Sequence, residues 1–578
     1  MRSILGRTRW ASLAAFLSAA VMAVGLSFVG APVQAGFELP EGERITNLPP
    51  IPRAIPQKEA YEMYDPAIGR NFDIKNFWLR ADLRVRPEMR NNTCFGQAIT
   101  STGACNGFGN RGVRAGQTPP GAGQVSNKGN DFFVQQWARL GIGYDLSPDV
   151  NFYMEIIDSA TWGGNGNNVN AGNGGDPLNH NCSNQANGQC RLGVRAAYVL
   201  VRNLAGVQGL SMKAGRQYII FGNHSLFGHF DWANTGYSHD GIMFAYQTKS
   251  FDSYFGWFRN SETDIGQAAA VGSGSGNIGP GAQTGADANR DSDMFIFYNQ
   301  IKGVPGFLIE PYYVYYKNNL AAANATGVTN FGNGFGTAKA SNQTRHMIGN
   351  RIEMRKGNWD AQNELAWQFG QIGNQAQAAG AGGCQGQQKC VHINAWATRN
   401  WVGYTAYDMA WKPRLAFNFD YASGDGRNNC ASSAAGNAVA GGSCKTANTF
   451  ENFFPTNHIH MGYMDVQAWK NMMSPSVNFQ ARPSARDHIE LWYTNLNVAN
   501  NKDCWYRAGQ GCYVNSNANV THNHIGDEID ITWTRMFADG KVSFQATYGK
   551  LFTGGYLTQT LGTQQNQDWA YVQLWMNF

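Results

Sequence analysis

Residues 77–89 read Phe77-Trp-Leu-Arg-Ala-Asp-Leu-Arg-Val-Arg-Pro-Glu-Met89. The odd positions, Phe77, Leu79, Ala81, Leu83, Val85, Pro87 and Met89, are all apolar, while Arg80, Asp82, Arg84, Arg86 and Glu88 take even ones. A helix would scatter those charges round its circumference, whereas a strand sets them on a single face. A strand with one apolar and one charged face suits the wall of a transmembrane barrel, where apolar side chains meet lipid and polar ones the lumen.

The composition of the 578-residue chain agrees. Only 15% of residues are charged, 13% are aromatic, 69 are glycine, and the mean hydropathy is −0.39. A soluble enzyme of this size would carry roughly 25% charge. Membrane helices would need apolar runs of about 20 residues, which the region after the N-terminal segment lacks. The aromatic content argues against disorder.

The same alternation recurs along the chain. It predicts strands at 77–89, 132–146, 150–158, 191–202, 210–217, 240–248, 251–260, 293–300, 306–317, 344–355, 359–371, 392–404, 412–423, 472–482, 488–496, 524–537, 542–550 and 570–578. That is an even number, about 18, as single-chain bacterial barrels require. Short connections such as Ser147-Pro148-Asp149, Lys249-Ser250 and Lys356-Gly357-Asn358 alternate with long Asn-, Gly- and Ala-rich ones such as 159–190, 261–292 and 424–471. The expected fold is therefore all-β: an antiparallel transmembrane barrel with short periplasmic turns and long extracellular loops.

Arg2, Arg7 and Arg9, the apolar stretch from Ala11 to Phe28, and Val33-Gln34-Ala35 read as a secretory signal peptide over 1–35. Residues 36–76, rich in Pro49, Pro50, Pro52 and Pro56, read as a periplasmic lead-in, leaving 77–578 for the barrel. Removing the signal leaves 42 basic residues against 40 acidic ones, so nucleic acid is not an expected partner. Sec-type export to the outer membrane of a Gram-negative cell follows, with outer-membrane lipid and lipopolysaccharide as surroundings.

Ten cysteines form five local pairs: Cys94/Cys105, Cys182/Cys190, Cys384/Cys390, Cys430/Cys444 and Cys504/Cys512. Each pair falls on a long outward connection. Pairing within each loop is the simplest of many connectivities, and the exported context favours disulfides. Each closure would restrict its unfolded loop by roughly 2–3 kcal/mol. No C-x-x-C or haem-attachment motif occurs.

Three stretches go further: Gly215 to Gly241 (Gly215-Arg-Gln-Tyr-Ile-Ile-Phe-Gly-Asn-His through Asp231-Trp-Ala-Asn to His239-Asp-Gly241); Ser423-Gly-Asp425 with Thr449 to Asp465; and Ile525-Gly-Asp-Glu-Ile-Asp530 with 548–555 and the terminal strand. Together they resemble the alginate-export family of outer-membrane porins. The resemblance implies a monomeric eighteen-stranded barrel. Two positions depart from the family pattern: Tyr237 stands where Arg is usual, and Asn223 where an acidic residue is usual.

The first stretch lies in the loop after the fifth strand and the second in the seventh long loop. Arg216, Asp231, Trp232, Asp240, Asp425, His458 and Asp465 are the candidates for an inward-folded constriction. The plainer reading is that such residues knit the loops to the wall. Alternation assigns Arg80, Asp82, Arg84, Arg86, Glu88, Arg195, Arg345, Arg351, Glu353, Arg355, Glu364, Arg414 and Asp420 to the pore lining, with Arg482 beside them. These either form a local basic stripe, Arg80, Arg84 and Arg86 facing Arg351 and Arg355, or pair with acids into a rigid network. His458/His460 and His522/His524 bring no third metal ligand, and no catalytic constellation is evident. The expectation is a porin without cofactor or metal, not an enzyme, passing small hydrophilic or anionic solutes by diffusion or export. The alternative is a closed scaffold or sheath barrel serving a partner complex, and a periplasmic partner is compatible with either.

Overall fold

The computed structural model of the chain describes residues 76–92, 95, 131–162, 192–232, 236–261, 292–318, 343–373, 390–425, 446–506, 512–514, 520–561 and 565–577. The expected signal peptide, 1–35, and, apart from Asn76, the expected lead-in, 36–76, lie outside them.

The wall consists of β1 (Phe77–Asn91), β2 (Asp131–Ser147), β3 (Val150–Thr161), β4 (Leu192–Val201), β5 (Leu210–Gln217), β6 (His239–Gln247), β7 (Phe251–Ser261), β8 (Ser292–Ile301), β9 (Phe307–Asn318), β10 (Gln343–Lys356), β11 (Trp359–Gly373), β12 (Cys390–Thr405), β13 (Arg414–Ala422), β14 (Met472–Ala481), β15 (Asp487–Val498), β16 (His524–Phe537), β17 (Val542–Thr553) and β18 (Gln567–Asn577). Each pairs antiparallel with its sequence neighbours, and β1 pairs with β18, Leu83 opposite Met576 and Glu88 opposite Tyr571. The ring is closed and leaves no edge for another chain to extend. Every predicted strand is present, with ends shifted by three residues at most.

Period two fixes which way each side chain points. In β1, Arg84, Arg86 and Glu88 are buried inside, and Leu79 is exposed outside. Leu140, Phe255, Phe297, Ile348, Leu365, Phe417 and Leu574 belong to the same exposed apolar band, which hydrocarbon would cover. No helix among the described residues is long and apolar enough to cross a membrane. The one α-helix there, Gly555–Leu561, sits in the last long connection.

The apolar core lies inside the ring. Residues 218–232 and 236–238, from the β5–β6 connection, and 446–471, ahead of β14, turn inward and are almost wholly buried. Phe221, Phe227, Phe230, Phe453 and Phe454 form one cluster with inward residues of β8–β10 such as Ile296, Val314 and Met347.

Candidate functional site

The two inward segments meet in the lumen through their backbones. The Gly228 N–H donates to the Phe454 carbonyl at 2.8 Å, and the Phe454 N–H to that of Leu226 at 3.0 Å. Thr456 N–H reaches the His224 carbonyl at 2.9 Å, and His460 Nε2 lies 2.6 Å from the Asn223 carbonyl. These bonds satisfy backbone groups that burial would otherwise leave stranded. Trp232 stacks on His458 with ring centroids 3.6 Å apart, and His458 Nδ1 lies 3.2 Å from Asp465 Oδ2.

The wall grips the segments with opposite chemistry on different arcs. On β1–β4, arginines donate to carbonyls of the first segment. Arg84 bonds the Asp231 carbonyl, Arg86 the Trp232 carbonyl at 2.9 Å, and Arg195 that of His229 at 2.8 Å. Arg86 also lies 3.5 Å over the Trp232 ring. The Asp231 carboxylate is shared by Arg139 at 2.8 Å and Arg195 at 2.9 Å. On β15 and β16, carboxylates instead accept N–H and O–H groups of the second segment: Met464 N–H to Glu528 at 2.9 Å, Tyr463 N–H to Asp530 at 3.2 Å and Tyr463 O–H to Glu490 at 3.0 Å. Between them, Ser225 donates to Glu364 at 2.5 Å, and Gln368 exchanges two bonds with the Glu451 backbone.

Two glycines make this approach feasible. Gly236 (φ 63°) lies against the Arg195 guanidinium and the His229 carbonyl, and Gly462 (φ 87°) against the Glu528 carboxylate; a Cβ at either would collide. His224, Phe230, Phe453 and Asp465 also adopt positive φ in these segments. Non-glycine residues in that region carry strain, which burial and bonding hold in place.

Electrostatics in the segments follow from their partners. Burial alone would push the Asp231 carboxyl up, but Arg139, His229 and Arg195 outweigh it and hold it well below the usual carboxylate range. Burial, with His229 beside it, lowers His224 to about 3. Burial also lowers His458, against the opposing pull of Asp465, and lowers Lys470 against that of Glu451, with which it pairs at 2.5 Å.

Among the sequence-predicted pore residues, Arg80 pairs with Asp82 at 3.3 Å and Glu155 at 3.4 Å, and Asp82 also accepts from Arg139. Glu88 accepts from Arg90 at 2.5 Å and Trp569 at 2.9 Å. Arg345 donates to Gln368 at 2.7 Å, Arg351 bonds Glu310 and Glu353, Arg414 grips Asp360, and Asp420 accepts from Arg399 at 3.2 Å. These wall charges thus form a paired network, except for Arg355, one residue before the end of β10, whose guanidinium bonds no described residue. β1 and β10 stand half a ring apart, with the inward segments between them, so no basic stripe joins Arg80, Arg84 and Arg86 to Arg351 and Arg355.

Three assignments change. Arg216 and Asp240 pair at 2.9 Å at the outer ends of β5 and β6, on the outward face, because each falls on the parity opposite to buried Gln217 and His239. They are not part of the constriction. Arg482 follows the end of β14 and is exposed, at the mouth of the lumen and not within it. Asp425 lies where the loop leaves β13, receiving the Asn448 N–H at 2.7 Å, while its own N–H bonds Asp503. Asp231, Trp232, His458 and Asp465 do come together. Arg139, Arg399, Lys470 and His229 join the network without having been singled out, although period two in β2 and β12 places the two arginines inward.

Cys504 is buried and disulfide-bonded. The backbone of Cys512 pairs with Tyr506 in a short ribbon beside it. The expected pairs Cys94/Cys105, Cys182/Cys190 and Cys430/Cys444 lie wholly outside the described residues. Of the pair Cys384/Cys390, Cys384 lies outside them and Cys390 opens β12. Those four pairings therefore rest on the sequence alone. Among the described residues no three His, Cys, Asp or Glu side chains gather to hold a metal ion.

A family described as alginate export matches residues 134–571. No curated protein matches the chain in sequence. Among solved structures, OccK9 (OpdG) of Pseudomonas aeruginosa is similar over 87% of this chain and 99% of its own, at 10% identity and a TM-score of 0.46. OpdO of the same organism covers 87% and 98% at 9% identity and 0.45. OccAB1 of Acinetobacter baumannii covers 87% and 97% at 12% identity and 0.45. At such identities and scores these likenesses carry nothing about solute.

Proposed function

Since the chain belongs to the alginate-export family, we propose that this outer-membrane channel passes small hydrophilic anions by diffusion through a lumen narrowed by its two inward segments. The observation that carries the reading is the closed ring itself, apolar outside and charged within. The anionic preference draws on the family's description, because alginate is a polyuronate, and carboxylate-bearing solutes are the first class to test. Selection is steric and electrostatic and involves no covalent step. We take the chain to work as a monomer, as the family resemblance implies; closure of the ring supports this only in that a second copy cannot join by strand addition. A closed sheath around a partner is the less favoured reading, because the family is described by export.

Planar-bilayer recording on the purified protein tests this. Discrete current steps in potassium chloride, with a reversal potential displaced toward chloride in a salt gradient, are expected. Folded protein that carries no current overturns the channel. A reversal potential near zero overturns the anionic preference.

A further inference from the structure

Arg216 and Asp240 belong to a longer pattern on the outward face. Cross-strand register puts Arg216 opposite Asp240, Asp240 opposite Arg259, Arg259 opposite Asp293, and Asp293 opposite Lys317. Consecutive strands from β5 to β9 thus each carry one charge at a single level, and the signs alternate. The row stops at Ala197 on β4 and at Thr344 on β10. Neighbouring strands lie about 4.8 Å apart, so it runs for about 19 Å round the wall. That length offers bases to more than one anionic group at once.

Its depth follows from the rows beside it. All its members sit close to the strand ends on the extracellular side. The next outward row toward the midplane aligns Ala214, Ile242, Trp257, Phe295 and Tyr315, and Phe255 faces Phe297 in the row after that. Aromatic rows of this kind mark the boundary between hydrocarbon and headgroups. Charges on a lipid-facing surface are tolerable just beyond it. The row therefore meets the headgroups of the outer leaflet.

Opposite charges on adjacent strands stabilise each other, and Arg216 pairs with Asp240 at 2.9 Å and Arg259 with Asp293 at 2.8 Å. Yet bases outnumber acids and stand at both ends. Lys317, at one end, has no hydrogen-bond or ion-pair partner among the described residues. The pairs are open on the outer side, where the Asp240 side chain is 51% exposed and that of Arg259 31%. Guanidinium forks match the oxygens of a phosphate, and a lysine ammonium adds a point charge.

We propose that Arg216, Arg259 and Lys317, spaced by Asp240 and Asp293, form a docking belt for the phosphorylated headgroup of outer-leaflet lipopolysaccharide. The acids between the bases orient the guanidiniums and keep the phosphate positions apart. The belt lies outside the lumen and is independent of what the channel passes. Inorganic phosphate and the phosphate of a phospholipid present similar oxygens from other sources, so each forms a separate arm of the test.

The test uses the mature full-length protein, purified in detergent and freed of lipid, with native mass spectrometry to count the lipid it retains. Diphosphorylated lipid A is the probe, set against dephosphorylated lipid A, phosphatidylglycerol and inorganic phosphate, and it should bind most tightly. R259Q/K317Q should raise its dissociation constant at least about tenfold, as expected for loss of charge-assisted hydrogen bonds. K317Q alone breaks no bond among the described residues, so it keeps the fold and should still weaken binding severalfold. Arg535 pairs with Asp487 near the periplasmic end of β16, and R535Q should bind as the parent. Parent affinity in the double variant, or an R535Q that matches it, overturns the belt. Equal binding of dephosphorylated lipid A overturns phosphate recognition. Equal binding of phosphatidylglycerol, or retention of inorganic phosphate without lipid A, overturns the glycolipid assignment. A protein that carries no current yet retains lipid A through these bases leaves the belt standing and overturns only the channel.

Discussion

Trp232 and His458 lie face to face at an interplanar angle of 4°, one from each inward segment, with Arg86 of the wall beneath the indole. The stack is where both segments and β1 meet. Trp232→Ala removes it and leaves a cavity, so the segments should loosen by about 3–5 kcal/mol. Larger single-channel current steps and faster amide exchange in 446–471 are the expected readouts. Unchanged conductance would mean that the stack does not border the solute path.

Asp231 is the acid that Arg139 and Arg195 share in the first segment's anchor. Asp231→Asn leaves two buried guanidiniums facing a neutral amide, a change of the kind that costs about 3–5 kcal/mol. The temperature at which the folded electrophoretic band converts to the unfolded one should fall. An unaltered transition would show that the backbone carbonyl bonds alone suffice.

Acid should loosen the first segment before it affects the wall. His224 is neutral in the folded protein because burial lowers it to about 3, while unfolded imidazole titrates near 6.5. A depressed value means that the stability is present above about 6.5 and is lost as pH falls toward 3, because the unfolded segment binds the extra proton. The slope is about 1.4 kcal/mol per pH unit within that window. His229, Asp231 and Arg351 are the charged or titratable groups about it. Amide exchange across 218–232, corrected for its intrinsic pH dependence, should rise between pH 6 and 4, and His224→Asn should flatten the rise.

Leu365, 51% exposed at the middle of β11, faces outward. Leu365→Arg would place a charge against hydrocarbon at about 2–4 kcal/mol. Refolding into lipid vesicles should give less folded protein, whereas Leu365→Phe should refold normally. Equal yields would place this face away from lipid.

The five loop pairs of cysteines should leave no titratable thiol in denatured, unreduced mature protein. Peptide mapping should recover Cys504 joined to Cys512, and likewise Cys94 to Cys105, Cys182 to Cys190, Cys384 to Cys390 and Cys430 to Cys444. Recovery of any of them with a partner from another loop would overturn local pairing there. Reduction should cost roughly 2–3 kcal/mol per loop.

The wall was legible because period two is local. Each strand declares its own faces, so Arg84 and Leu79 could be assigned without knowing any neighbour. The network was less legible because its partners come from distant strands and loops: nothing near Asp231 in the chain announces Arg139 or Arg195. Loop composition rich in Asp, Trp, Phe and His pointed to an inward fold, yet Arg216 and Asp240 share that local composition and turn outward by parity alone. Arg482 marks the weakest kind of inference, an assignment at a strand's last residue, where one position separates wall from mouth.

The pairing of Leu83 with Met576 also sets an order of events in the cell. The first strand waits for the last to be synthesised before either has its second neighbour. Until then, two hydrogen-bonding edges and a long apolar surface travel through an aqueous compartment together. Ring formation is therefore a late and all-or-none commitment, and damage to the C-terminal strand should appear as degraded chain in transit, not as a leaky channel in the membrane.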